Sequence, residues 1–273
     1  MGKDRADGAV VIPDAFEVWV VSDIHGQLGA LEAGLQGAGL VDSDGSWARP
    51  ETALAVLGDS IDVGPDSLGT LSRLDHLRSS AAARGGLVTL LEGNHEDAAV
   101  HVLEGRARAA LWMGIGGDAT VASCGVDPAD PDAVSEVARR APELRLLLGT
   151  LAPWARWRDA CLVHAGLVPG ADLAEFAVAP GRLWRHGDFL WGPPFPGAVE
   201  WRHYRAAGLS RVVVGHKPVK RPTLEQGGRA LLVDTGAGNV HEPGALTFVR
   251  LSETGLAPAA EVRIDIGGAP DGG

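Results

Sequence analysis

The feature that most constrains this chain is a set of short apolar, β-branched runs that each break at a small or polar residue and then present Asp, His or Asn. Phe16 to Ser22 leads into Asp23-Ile24-His25-Gly26, and Ala53 to Leu57 leads into Gly58-Asp59-Ser60-Ile61-Asp62. Leu87 to Leu91 leads into Gly93-Asn94-His95-Glu96, and two later runs, 160–164 and 211–215, end at His164-Ala165-Gly166 and Gly215-His216-Lys217. Short apolar runs bounded by turn residues read as strands covered on both faces. Between the first three lie stretches of near-helical spacing, Gly26 to Leu40 and Ser67 to Ala83. Strand alternating with helix predicts βαβ units and a largely parallel sheet in this half. Loops at the carboxyl ends of parallel strands converge over one crevice. Five strand ends carrying Asp, His and Asn therefore predict a polynuclear metal site.

The chain has 273 residues, of which 45% are hydrophobic and 22% charged, so one large core is attainable. We find no internal repeat and no Pro/Gly linker long enough to divide it. The reading is a single α/β domain over 15–266, preceded by a polar leader, 1–14, and followed by a flexible tail, 267–273. Pro131 to Arg140 reads as an amphipathic helix with its acidic residues early. The Gly-, Asp- and Pro-rich stretch from Gly114 to Pro131 reads as irregular. Further strands are expected at 230–234 and 245–251, with an edge strand at 261–266.

The net charge of −11 excludes a protein that tracks nucleic-acid backbones. No apolar run approaches the ~20 residues that span a bilayer, and Met1 to Gly8 is charged, with no apolar signal segment behind it. Cys124 and Cys161 are too few for a disulfide framework. A cytoplasmic protein with neither nucleic-acid nor membrane partners is expected.

The donors suit the chemistry. Asp23 and His25 stand two apart at a strand end, so both side chains can point the same way. The Asp59 carboxylate has two oxygens able to bridge two cations, Asn94 offers a neutral carbonyl oxygen, and His164 and His216 offer imidazole nitrogens. A mixed N/O set without thiolate suits Mn, Fe or Zn. Each segment alone has an ordinary explanation as a turn, a helix cap or a core histidine. Five in this order, each at a strand end, do not.

The ordered set resembles the calcineurin-like metallophosphoesterase superfamily, in its phosphoprotein-phosphatase branch. The family pattern is Asp-x-His-Gly, Gly-Asp-x-x-Asp-Arg-Gly, Gly-Asn-His-Glu, His-Ala/Gly-Gly and a late Gly-His, and here it covers roughly residues 16–251. Trp112 to Gly117 with Thr120, and Asp234 to Ala237, are also similar to bacterial members. The resemblance implies a β-sandwich of two mixed sheets flanked by helices. It implies two metal ions, with Mn the first choice. Asp23, His25 and Asp59 would hold one, and Asp59, Asn94, His164 and His216 the other. It further implies direct attack of a metal-bridging hydroxide on phosphorus, with His95 as general acid and Asp62 orienting it.

The substrate so implied is a phosphate monoester, on a small phosphorylated molecule or a phosphoprotein. Symmetrical hydrolysis of a dinucleoside tetraphosphate is the alternative within the branch. A catalytically weakened, metal-bound binding module is the alternative from another class. The phosphate clamp departs from the pattern. Val63 stands where relatives have arginine, His186 of Leu183-Trp184-Arg185-His186 replaces a second arginine, and Lys217 follows the late Gly-His in place of threonine. Lys217, Arg185 and His186 are the positions expected to take over the phosphate charge.

Overall fold

The computed structural model describes residues 9–165, 204–205, 208–239, 241–242 and 244–266. Its strands follow the apolar runs. β2 (Glu17–Val21), β3 (Thr52–Val56) and β4 (Leu87–Leu90) lie parallel, while β10 (Ala245–Leu251) adds antiparallel to β2 and β11 (Pro258–Asp265) antiparallel to β10. This five-stranded sheet has the order β11-β10-β2-β3-β4. Among the described residues, the second sheet has six strands in the order β1-β5-β6-β7-β9-β8. They are β1 (Val10–Ile12), β5 (Ala155–Trp157), β6 (Ala160–Leu162), β7 (Arg211–Val214), β8 (Thr223–Glu225) and β9 (Ala230–Leu232).

Alternation along the strands explains why two sheets stack. Val18, Val20, Ala53 and Ala55 join Leu162, Val213 and Leu231 of the other sheet in one buried cluster. The intervening residues, Trp19, Val21, Leu54 and Val56, face the opposite way. They pack against Leu31 and Leu35 of α1 (Leu28–Gly37) and Leu74 and Leu77 of α2 (Ser67–Ala83). Both faces of the central strands are thus covered, which is why their sequences read as unbroken apolar runs. The result is the sandwich of two mixed sheets with flanking helices that the resemblance implies.

A third cluster forms a helical cap beside the sheet ends. It joins Ile61 and Leu71 to α3 (Asn94–Leu103), α4 (Ala109–Trp112), α5 (Asp118–Ser123), α6 (Ala133–Arg140) and α7 (Pro142–Leu148) through residues such as Trp112, Val121, Val137 and Leu144.

Two sequence expectations change. Val10–Ile12, placed in the leader, form β1 by pairing in parallel with β5, and Ile12 is fully buried. Three residues are too few to announce a strand without their partner. The stretch from Gly114 was read as irregular, yet it completes a π-helical turn (Met113–Gly117) and contains α5. Glycine content misled there, because the turn needs glycine. Gly116 has φ +100°, and a Cβ on it would lie 2.8 Å from Val63 Cγ2. Residues 1–8 of the leader and the tail, 267–273, lie outside the described residues.

Candidate metal centre

The donors arrive from the carboxyl ends of strands in both sheets. Asp23 and His25 follow β2, Asp59 and Asp62 follow β3, Asn94 and His95 open α3 after β4, His164 follows β6 and His216 follows β7. Several sit on backbone that only tight turns require: Asp23, His25, Asp59, Asp62, Val63 and His216 all have φ between 48° and 70°. Such left-handed conformations cost on the order of 1–3 kcal/mol each and persist where surroundings over-determine them. Gly58 permits one close approach. Its φ is +93°, and a Cβ would meet Gly93 N at 2.6 Å and His164 Nδ1 at 2.9 Å.

Asp59 is the hub. Its Oδ2 lies 3.4 Å from His164 Nε2, 3.8 Å from His95 Nε2 and 3.9 Å from His25 Nε2. In all three imidazoles the other ring nitrogen already has a partner. His25 Nδ1 lies 3.0 Å from Ile61 O, His164 Nδ1 2.8 Å from Leu57 O, and His95 Nδ1 2.9 Å from Asp62 Oδ2. A carbonyl accepts only from N–H, so Nδ1 of His25 and His164 carries a proton, and Nε2 is the ring atom each would offer a cation beside Asp59. Asn94 Oδ1 lies 2.9 Å from His164 Nε2, and Asp23 accepts from the His216 backbone N–H and from the Ser22 hydroxyl.

Among the described residues, two groups of donor atoms come close enough to hold an ion: His25, Asp59 and His95, and Asp59, His164 and His216. They share Asp59, and all their donors are nitrogen or carboxylate oxygen, which fits two divalent cations of the Mn, Fe or Zn type. The first group contains His95 where the resemblance puts Asp23. Asp23 nonetheless lines the same cavity, of about 370 Å³, together with His25, Asp59, Asn94, His95 and His216.

Electrostatics are those of a site that expects cations. Burial pushes the Asp59 carboxyl up, but His164, His95 and His25 outweigh it and hold it well below the usual carboxylate range. Burial lowers His164 and His95, but Asp59 overcomes this and raises them to about 10 and about 9. His25, dominated by burial, falls to about 4. Without metal, protons on His164 and His95 balance the carboxylates; cations binding there must displace the His164 proton.

Glu96 received no role from the sequence. Its buried carboxylate accepts from the backbone N–H of Asp59 at 2.9 Å, Ser60 at 2.6 Å and Gly93 at 2.9 Å, locking the β3 loop to the start of α3. Glu at the third position of a helix, reaching back to its N-cap N–H, was the available signal. Asp234, Asn239 and His241 also line the cavity and were not foreseen as site residues. Of the expected phosphate contacts, Lys217 is exposed and absent from the lining, although its neighbours His216 and Pro218 belong to it. Arg185, His186 and Gly166 lie outside the described residues.

The calcineurin-like phosphoesterase profile matches residues 16–247. The chain belongs to that family. Its site is that of a metal-dependent hydrolase. An asymmetrical bis(5'-nucleosyl)-tetraphosphatase of Bacillus velezensis is 28% identical over 221 residues, covering 80% of this chain and 83% of that one. Serine/threonine-protein phosphatase 1 of Salmonella typhimurium is 37% identical over 103 residues, 37% of this chain and 39% of that one. Shewanella-like protein phosphatase 2 of Arabidopsis thaliana is 34% identical over 76 residues, 28% of this chain and only 19% of that one. Among solved structures, a cold-active protein-tyrosine phosphatase of a psychrophilic Shewanella shares the fold at TM-score 0.61 and 20% identity, over 95% of this chain and 83% of that one. A serine/threonine phosphatase of Saccharomyces cerevisiae shares it at TM-score 0.60 and 16% identity, over 97% and 85%.

Proposed function

We propose that this chain is a metal-dependent phosphatase acting on a phosphate monoester, carried by a small molecule or a protein. The observation that carries this reading is one carboxylate oxygen, Asp59 Oδ2, faced by three imidazole Nε2 atoms, one of them on a histidine held by Asp62. Asp23, His25 and Asp59 would hold one cation, and Asp59, Asn94, His164 and His216 the other. When bound, two such cations supply Lewis acidity, making a nucleophile of water at neutral pH and neutralising phosphoryl oxygens. Mn is our first choice for the pair.

The chain's own residues supply the rest. Leu57 O and Ile61 O fix the ring tautomers of His164 and His25, and Glu96 holds the Asp59 loop still. His95 gives the leaving oxygen its proton from Nε2, while Asp62 accepts from Nδ1 and stabilises the ring through the transfer. Among the described lining residues, the imidazoles and the cations they would hold are the groups that meet the phosphate charge. Lys217, exposed between the lining residues His216 and Pro218, is the cation nearest in sequence to the site and would meet the substrate from outside the lining.

A second reading is dinucleoside polyphosphate hydrolysis, supported by the Bacillus relative that aligns over most of both chains. That relative is named asymmetrical, which favours an off-centre cut over the symmetrical one expected from sequence. The test is turnover of p-nitrophenyl phosphate, a phosphopeptide and diadenosine tetraphosphate by the Mn²⁺-loaded protein. Release of inorganic phosphate from a monoester supports the first reading. Cleavage of the dinucleotide alone replaces it with the second, and no turnover by metal-loaded protein leaves a metal-bound binding module.

A further inference from the structure

Asp62 is fully buried, and its carboxylate is saturated by donors from a part of the chain the chemistry does not use. The Thr120 hydroxyl donates to Oδ1 at 2.6 Å. The Trp112 indole N–H is shared between Oδ1 at 3.0 Å and Oδ2 at 3.1 Å. Oδ2 is left to accept His95 Nδ1 at 2.9 Å. Both donors are themselves fully buried. They flank the π-helical turn, Trp112 before it and Thr120 after it on α5.

The backbone is gripped by the same segment and by Ser67 at the start of α2. Asp62 N–H faces Thr120 Oγ1 at 3.0 Å and Ser67 Oγ at 2.9 Å, those two hydroxyls lie 2.8 Å apart, and Val63 N–H donates to Gly116 O at 3.1 Å. Asp62 and Val63 are consecutive non-glycine residues at φ 70° and 66°. A backbone like that is kept only by contacts that hold it. A buried carboxylate is also costly unless its oxygens are filled, and losing one donor lets it turn toward whatever remains.

We propose that Trp112 and Thr120 are positioning residues that orient the Asp62 carboxylate so that His95 presents Nε2 to the leaving group. The helical cap is then part of the proton-transfer apparatus, acting through Asp62 and touching no reacting atom. This rests on the reading of His95 as the general acid.

The experiment measures single-turnover rates of the Mn²⁺-loaded protein on an alkyl phosphate and on p-nitrophenyl phosphate, whose leaving oxygen needs little protonation. Thr120→Val and Trp112→Phe should each slow the alkyl ester about tenfold more than the aryl ester, the lower end for a group orienting another. Thr120→Ser, which returns the hydroxyl, should restore the ratio. In a His95→Asn background, Thr120→Val should add little, because its effect passes through the missing ring. Metal content and melting temperature are followed throughout; if Thr120→Val does not fold, Trp112→Phe with the His95→Asn cycle decides. Equal losses on both esters, while His95→Asn alone is selective for the alkyl ester, overturn the positioning role and leave the acid in place. Equal losses in His95→Asn itself remove the acid, and the proposal with it.

Discussion

At the scale of single residues, Asp59 has no substitute. It belongs to both donor groups, and its N–H is held by Glu96. Asp59→Asn keeps the shape but deletes the negative charge that both cations would face. Outer partners of metal ligands are worth about 10–100-fold, so the shared ligand should cost at least about a hundredfold in turnover. Bound metal, read by elemental analysis, should fall with it while the fold is kept. Normal turnover with unchanged metal content would sink the two-metal assignment. Glu96 is the complementary case, a residue that does no chemistry and sets geometry. In Glu96→Gln an amide NH₂ replaces one acceptor oxygen among three inward N–H groups. At least one buried donor is then orphaned, at roughly 1–3 kcal/mol. Denaturant unfolding of the metal-free protein checks this, and an unchanged midpoint would mean that the loops do not depend on that carboxylate.

At the scale of elements, the hairpin β5–β6 and the start of β7 are joined by Asp159. Its backbone carbonyl accepts from the N–H of Ser210 and Arg211, and its carboxylate from the Ser210 hydroxyl and the Arg211 guanidinium. Burial pushes that carboxyl up, but Arg211 and Ser210 outweigh it, and the net shift is downward. A depressed carboxylate contributes stability above its unfolded pKa of roughly 3.9 and loses it as pH falls through the folded value. The group is 40% exposed, so screening limits the contribution to about 0.5–1 kcal/mol. Asp159→Asn should therefore be less stable than the parent at pH 7, with the gap closing below about pH 4. A gap that persists unchanged at pH 3 would assign it to packing and not to charge.

At the scale of the whole molecule, the donors staple two sheets. Asp59 and Asn94 follow strands of the five-stranded sheet, and His164 and His216 follow strands of the six-stranded one. A cation held between them binds the folded chain and not the unfolded one. At a hundredfold excess over Kd it adds roughly 2.7 kcal/mol per site. Chelation should lower the melting temperature by several degrees, Mn²⁺ should restore it, and Asp59→Asn should respond little. A parent protein indifferent to chelator would mean that no bound cation joins the two sheets. No helix of the described residues is long and apolar enough to cross a membrane.

Local sequence sufficed for the strands that carry the donors and for the order of the donors. Burial on both faces writes continuous apolar runs, and the turns that follow need residues whose identity shows within a few positions. The same locality explains the misses. β1 is three residues whose partner lies about 145 positions away, and the π-helical turn hid behind its glycines. Tertiary structure alone decided how the donors meet. Leu57 O fixes His164 across 107 residues, Glu96 reaches Asp59 across 37, and Thr120 reaches Asp62 across 58. A hydrogen bond leaves no periodicity in a sequence, because its two ends need share only a point in space. The chain's residues therefore declare that it binds metal, while the stacking of two sheets and the packing of a helical cap determine which atom of each residue faces the next.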